Sequence, residues 1–79
     1  MAMTESEAVC LIIEELIRAE EKFPEWPEDI VHGVAILIEE AGESMQAALD
    51  YVYLEGDIDR IRKELIQVGA MAIRNLINL

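Results

Sequence analysis

Residues 34–52 read VAILIEEAGESMQAALDYV, and this stretch decides the fold of the chain. Its apolar residues recur every three or four positions, the spacing that places side chains on one face of an α-helix. They are Val34, Leu37, Ile38, Ala41, Met45, Ala48, Leu49 and Val52. The glutamates Glu39, Glu40 and Glu43 fall within an arc of about 100° elsewhere on the same helix. The pattern predicts a long helix over residues 28–53 with an apolar face and an acidic face.

The acidic face has two interpretations. Like charges four residues apart repel one another, so the three glutamates need either bulk water or a cation. A solvated face is the simpler interpretation, because most glutamate-rich helix faces are exposed. The apolar residues Ile36 and Ala47 lie in the same arc, however, and they favour burial of this face between helices. Carboxylates gathered there would bind a hard divalent cation, Mg²⁺ or Mn²⁺.

Two further helices flank the central one. Thr4 and Glu7 fit a capping box at the start of a helix over residues 5–22, with Glu14 and Arg18 as an i,i+4 ion pair. Pro24 ends this helix. A third helix is predicted over residues 58–76, so the chain is all-α and forms one domain over residues 1–79.

The second and third helices are joined by a short turn at residues 54–57. Gly56 is expected to adopt a positive φ there, and Asp57 or its neighbour to cap the third helix. So short a turn predicts an antiparallel hairpin, with Gly69 and Ala70 allowing close approach of helices.

Polar residues of the third helix form one stripe, which is expected to face solvent with Arg60 and Glu64 paired. The stripe consists of Arg60, Glu64, Gln67, Arg74 and Asn78. Glu43 lies about twelve residues and Glu64 about eight from the centre of the turn, a difference of about one helical turn, so they are expected at similar height. Glu64 and Gln67 can therefore join the acidic residues of the second helix in one site.

The joint between the first two helices, residues 23–27, contains the only Trp of the chain. Trp26 is either an apolar plug over the helix ends or a platform on which a flat ring stacks. His32 lies on the same stripe as Glu39 and Glu43, and is either a surface residue or a contact for a ligand.

Composition limits the possible partners and the environment. A formal net charge of −11 disfavours nucleic acid polymers and anionic membrane surfaces, and no stretch of 18 apolar residues is present to span a membrane. The lone cysteine, Cys10, is expected to be a buried thiol in a reducing cytoplasm. A chain of 79 residues buries only about 60% of its unfolded surface, so association into a homodimer or homotetramer is expected.

One arrangement of these residues resembles a known signature. Glu39-Glu40-x-x-Glu43, followed after 20 residues by Glu64-x-x-Gln67, closely resembles the EExxE…ExxD signature of the MazG-like, all-α nucleoside triphosphate pyrophosphohydrolases. Trp26-Pro27 before the motif helix and Gly42 within it also fit small members of that superfamily. The resemblance covers nearly the whole chain from Ile12 onward.

The resemblance implies a fold, an activity and residue roles. The fold would be a MazG-like helical bundle completed between protomers, and the activity a Mg²⁺-dependent hydrolysis of the bond between the α and β phosphates of a nucleoside triphosphate. Matched to the signature, Glu40, Glu43, Glu64 and Gln67 would bind the metal and Glu39 would orient or deprotonate the attacking water. Trp26 would stack on the base, with His32 as a further substrate contact.

The sequence leaves two matters open. Gln67 stands where the signature has Asp, so a noncatalytic helical interaction module that keeps the fold is the alternative function. A di-iron carboxylate site is disfavoured, because it needs two Glu-x-x-His pairs and the chain has a single His. Five basic residues are candidates for phosphate contacts, and the sequence does not choose among them: Arg18, Lys22, Arg60, Lys63 and Arg74.

Overall fold

A computed structural model describes residues 2–79 and contains three α-helices, with no strand in that range. They are α1 (Glu5–Lys22), α2 (Ile30–Tyr53) and α3 (Ile58–Ile77). The all-α prediction is confirmed. Helix α2 begins two residues later than predicted, because the Asp29 side chain caps it by accepting from the Val31 amide at 2.9 Å.

The other predicted caps are present. The Thr4 hydroxyl accepts from the Glu7 amide at 3.1 Å, and the Glu7 carboxylate accepts in return from the Thr4 amide at 3.3 Å. The Asp57 side chain caps α3 by accepting from the Asp59 amide at 2.9 Å. Each cap satisfies an amide that has no partner within the helix.

The turn between α2 and α3 corrects one prediction. Glu55, with a φ of 56°, takes the positive angle that was expected at Gly56. Gly56 is required for close approach instead, because an added Cβ would lie 2.9 Å from the carbonyl carbon of Asp50. The Gly56 amide donates to the Asp50 carbonyl at 2.9 Å, which closes the turn against the end of α2.

Helix α3 is the centre of the fold. Both α1 and α2 pack on it, whereas within residues 2–79 the backbones of α1 and α2 do not approach each other. The core consists of Leu16 and Ala19 from α1 with Ala70 and Met71 from α3. Ala70 is fully buried, and Gly69 leaves room for the side chain of Ile12, as expected for close packing of helices.

The two faces of α2 differ in their exposure to solvent. Its buried residues are Gly33, Ser44 and Ala47, so it contacts α3 through its acidic side. The apolar face points away, and Ile38 and Met45 are 60% and 62% exposed. The total accessible surface is 5797 Å², whereas a compact monomer of 8.9 kDa exposes about 4,800 Å². The fold therefore leaves apolar area uncovered.

Several side-chain predictions are wrong. Cys10 is exposed, because it lies on the side of α1 away from α3. Arg18 pairs with Glu15 and not with Glu14, and Arg60 pairs with Asp50 at 2.6 Å and not with Glu64. Arg18 thus takes the partner three residues away in its own helix, whereas Arg60 contacts the neighbouring helix, which helical spacing alone does not determine.

Arg74, placed by spacing on a solvent-facing stripe, is only 4% exposed because it lies under the joint between α1 and α2. None of the helices within residues 2–79 is long and apolar enough to cross a membrane.

Candidate functional site

Three carboxylates from two helices meet at the contact between α2 and α3. Oxygens of Glu40, Glu43 and Glu64 lie within 4.8 Å of one another, a spacing that would hold one cation. Glu40 and Glu43 are neighbours on one turn of α2, and the hairpin brings Glu64 of α3 to the same height. The predicted register of Glu43 and Glu64 therefore matches the structure.

Burial and mutual repulsion change the acidity of this cluster. The pKa of Glu40 rises to about 7, first because burial penalises its charge and then because Glu43, Glu64 and Glu39 repel it. The pKa of Glu64 is also raised, by burial and by its hydrogen bond and charge interaction with Glu43. Without a cation, the cluster therefore holds a proton near neutral pH.

Gln67 lies one turn after Glu64 and contacts two of the carboxylates. With its nitrogen turned towards them, the amide donates to Glu40 Oε2 at 2.8 Å and to Glu64 Oε2 at 3.2 Å. An aspartate at this position would add a fourth negative charge. The neutral amide instead supplies a donor that partly compensates the other charges.

Glu39 lies outside this group of three. Its side chain is exposed, and its charge acts on the cluster by helping to raise the pKa of Glu40. It occupies the position next to a metal-ligand candidate while remaining open to solvent. Glu39 is therefore placed where it could contact a water molecule at the edge of the cluster.

A cleft of about 390 Å³ adjoins the carboxylates. Its wall includes Glu40 and Gln67 as well as Trp26 and His32. Ile36 and Met71 give it an apolar surface. The structure thus brings both predicted substrate-contact residues, Trp26 and His32, into one space with two of the predicted metal ligands.

The indole of Trp26 is held from two sides. The guanidinium carbon of Arg74 lies 4.9 Å from the ring centroid, a cation–π contact. On α2, Gly33 leaves space for the ring, because an added Cβ would lie 3.1 Å from the indole nitrogen. Asn75 of α3 donates to the Gly33 carbonyl at 3.0 Å and ties the two helices together there.

Arg74 is the residue of this region whose role the sequence did not reveal. It donates to the backbone carbonyls of Ala19 and Glu25, each at 3.4 Å, and to that of Phe23. These carbonyls belong to the end of α1 and the joint after it, where the helix dipole favours a cation. Its spacing of three residues from Met71 was a signal that it lies towards the core.

Comparisons of the chain with models of known protein families, with curated proteins and with solved structures gave no match. The chemistry of the site therefore rests on its own residues. An acidic cluster of oxygen donors beside a cleft with an aromatic wall can bind a divalent cation and, next to it, a ligand with phosphate and ring portions.

Proposed function

We propose that the chain is a Mg²⁺-dependent nucleoside triphosphate pyrophosphohydrolase, with Mn²⁺ as a substitute cation. The observation that carries the proposal is the position of Glu40, a member of the carboxylate cluster that also lines the cleft containing Trp26. A ligand with a flat ring at Trp26 could extend its phosphates to the cluster. The products would be a nucleoside monophosphate and pyrophosphate.

The donor set of the cluster fits a hard cation. All three residues offer carboxylate oxygens, the ligands that Mg²⁺ prefers, and a bound cation would remove the repulsion that raises the pKa of Glu40. Glu40, Glu43 and Glu64 would hold the ion. When bound, Mg²⁺ would neutralise charge on the phosphates and lower the barrier to attack by water.

The remaining residues have roles set by their positions. Glu39, exposed beside the cluster, would orient or deprotonate the attacking water. Gln67 would position the carboxylates of Glu40 and Glu64 through its amide, or turn its carbonyl to the ion. Trp26 would stack on the base, and His32 would contact the substrate from the mouth of the cleft.

A second function is favoured by one observation. With its nitrogen turned towards Glu40 and Glu64, Gln67 donates to two of the carboxylates and partly compensates their charge without a cation. A chain that had lost catalysis could keep this arrangement as a structural feature. It would then act as a noncatalytic helical interaction module.

Both functions involve association of the chain with itself. The apolar face of α2 is exposed, and on α1 the residues Val9, Ile13 and Ile17 are also more than 40% exposed. Large exposed apolar areas on small domains mark protein contacts. We therefore propose a homodimer or homotetramer, in which a second copy covers these residues.

A direct assay tests the proposed activity. The purified protein is incubated with each common nucleoside triphosphate and Mg²⁺, and release of pyrophosphate is measured. The matched variants Glu39→Gln and Glu28→Gln both remove one exposed carboxylate. We expect Glu39→Gln to lower the rate about 10²-fold, as for loss of a general base, and Glu28→Gln to leave it unchanged.

Binding at Trp26 is followed by fluorescence in the same samples. Addition of the nucleotide that serves as substrate is expected to quench the fluorescence of the single Trp. Trp26→Ala is expected to weaken binding of that nucleotide by about 1–3 kcal/mol. No pyrophosphate from any nucleotide, with no change in fluorescence, would favour the noncatalytic module.

A further inference from the structure

Two of the six basic residues of the chain line the cleft next to the carboxylate cluster, Arg18 and Arg74. Arg74 is 4% exposed and donates to three backbone carbonyls, so it cannot turn to a ligand without opening the joint. The side chain of Arg18 is 52% exposed. Arg18 is therefore the cation of the cleft that is free to reorient.

The other basic residues lie elsewhere. Arg60 pairs with Asp50 near the hairpin turn, and the ammonium group of Lys22 lies 5.4 Å from the Phe23 ring centroid. Arg62 pairs with Asp59 at 2.6 Å. Lys63 lines a groove of about 420 Å³ that shares Glu15 and Arg18 with the cleft.

Arg18 is held by an anion of the protein itself. Its guanidinium donates to both oxygens of Glu15, at 2.9 Å and 2.6 Å. The Glu15 side chain is only 16% exposed, so this carboxylate lies largely inside the wall that the cleft and the groove share. Planar pairing of this kind is also how arginine binds phosphate.

The pair is weak enough to be exchanged. An ion pair with one partner half-exposed contributes little net stability, because solvent screens it. A phosphate carries more charge than a carboxylate and forms stronger bonds with arginine. Lys63 adds a second positive charge nearby, which helps to lower the pKa of Glu15 and opposes the rise in the pKa of Glu64.

We propose that Arg18, exchanged from Glu15 and supported by Lys63, binds the outer phosphates of a polyphosphate chain whose inner phosphate lies at the carboxylate cluster. Glu15 is then the resident counter-ion that occupies this subsite when no ligand is bound. The ligand class is an inorganic or nucleotide-linked polyphosphate. For a nucleoside triphosphate the inference rests on the proposed function, and it assigns the β and γ phosphates to Arg18.

Titration calorimetry with inorganic pyrophosphate and Mg²⁺ tests the subsite without any nucleotide. Arg18→Gln is compared with Lys22→Gln, which removes the same charge from α1 outside the cleft. We expect Arg18→Gln to weaken binding about tenfold, the loss of one charge-assisted hydrogen bond, and Lys22→Gln to stay within about twofold of the parent.

A second pair of variants is expected to change the affinity for pyrophosphate in the opposite direction. Glu15→Gln removes the competing anion and is expected to tighten pyrophosphate binding about threefold, whereas the exposed Glu21→Gln, with the same change of net charge, has little effect. Opposite effects of Arg18→Gln and Glu15→Gln cannot come from loss of a structural ion pair, because both variants break that pair.

The outcomes separate this inference from the proposed activity. Absence of pyrophosphate binding to the parent, or equal effects of Arg18→Gln and Lys22→Gln, overturns the subsite. Binding that depends on Arg18 in a protein that hydrolyses no nucleotide supports the subsite and contradicts the proposed activity. If Arg18→Gln leaves nucleotide hydrolysis unchanged, the proposed activity is supported and the subsite is contradicted.

Discussion

Helix α2 has a polar face against α3 and an apolar face that points away from it. Most surface helices have these two faces the other way round. The inner face carries Glu40, Ser44 and Ala47, of which the last is 1% exposed. The outer face carries Ile38 and Met45, both more than half exposed. A helix of a monomer usually buries its apolar stripe and leaves its acidic residues in water. In this chain the fold places carboxylates against α3 and leaves the outer part of the apolar stripe, including Ile38 and Met45, without a cover.

The difference indicates two separate requirements on one helix. Small residues on the inner face let α2 and α3 approach closely enough for Glu40, Glu43 and Glu64 to meet. The outer face has enough apolar area for association, since the chain exposes about 1,000 Å² more than a compact monomer of its size. A standard interface buries about 800 Å² per partner, so a second copy is sufficient to cover most of the excess.

The largest expected effect concerns the outer face. Ile38→Asp would place an unpaired carboxylate in the proposed interface, at a residue that is 60% exposed in the single chain. We expect the dissociation constant of the oligomer to rise about 10³-fold, or about 4 kcal/mol, because desolvating a charge is costly. Sedimentation at several concentrations measures it.

The matched control is Leu79→Asp, which adds the same charge outside α2 at a residue that is 76% exposed. It should leave the association unchanged. If the parent sediments as a stable, folded monomer at micromolar concentration, the outer face of α2 is not an interface with a second copy.

The next effect concerns the inner face. At a Mg²⁺ concentration 100 times the dissociation constant, the parent is expected to gain about 2.7 kcal/mol of stability, or about 10–20 °C in Tm for a domain of this size. Glu64→Gln should remove most of this gain, because it removes one of three ligands. Thermal scans with and without Mg²⁺ provide the measurement.

Glu39→Gln is the control for that experiment, since Glu39 adjoins the cluster but is not one of its three members. It should keep most of the response to Mg²⁺ even where it abolishes hydrolysis. A parent protein with the same Tm in Mg²⁺ and in a chelator would contradict the metal site.

Local chemistry made most of the fold predictable. Caps at Thr4 and Asp57, the proline after α1 and the spacing of apolar residues correctly indicated three helices, all within two residues of the observed ends. The short turn determined the register, and the register placed Glu43 and Glu64 at the same height. These signals act over a few residues, so sequence alone carries them.

Other features depend on contacts between distant residues. Arg74 lies 49 to 55 residues from the carbonyls it contacts, and Arg60 reaches back to Asp50 across the hairpin. The sequence does not indicate Glu15 as a site residue, because its position in the wall of the cleft depends on how α1 packs on α3. Burial of the acidic face of α2 was indicated by Ile36 and Ala47, whereas the exposure of Ile38 and Met45 was not, since hydrophobicity alone favours burial of the outer face.

A smaller effect sharpens the role of Gln67. Gln67→Asp would replace a donor by a fourth carboxylate, so we expect the metal-free protein to be less stable and Mg²⁺ to bind about tenfold more tightly. Calorimetry with Mg²⁺ measures the affinity. Gln46→Asp makes the same substitution on an exposed part of α2; it removes the hydrogen bond from Gln46 to Asp50 and so affects stability, but it should leave the Mg²⁺ affinity unchanged.

Pyrophosphate release from the Gln67→Asp protein then distinguishes an enzyme from a noncatalytic module. An active site with a weak metal ligand should keep or raise its rate. Tighter Mg²⁺ binding without any turnover, in both the variant and the parent, would identify the cluster as a cation site alone.

The smallest expected effect is the pH dependence of stability in the metal-free protein. Glu40 has a pKa of about 7 in the fold and an ordinary value of 4.5 when unfolded, so between these pH values the folded chain holds a proton that the unfolded chain has lost. The stabilisation from this proton is complete below pH 4.5 and is lost as the pH rises to about 7. We expect a loss of about 1 kcal/mol, since solvent screens a partly exposed group.

Denaturant titrations in a chelator at several pH values measure this loss, and Glu40→Gln should remove the part due to Glu40 and leave that due to Glu64, whose pKa is also raised. Glu15, whose pKa is lowered by its hydrogen bond with Arg18, has the opposite dependence, but it acts below its ordinary value of 4.5 and so outside this window. With saturating Mg²⁺ this dependence should disappear between pH 5 and 7, because the bound cation keeps Glu40 ionised in the folded chain, as it is in the unfolded chain. A metal-free stability that is flat between pH 5 and 7, relative to Glu40→Gln, would mean that the inner face of α2 is as well solvated as an ordinary acidic surface.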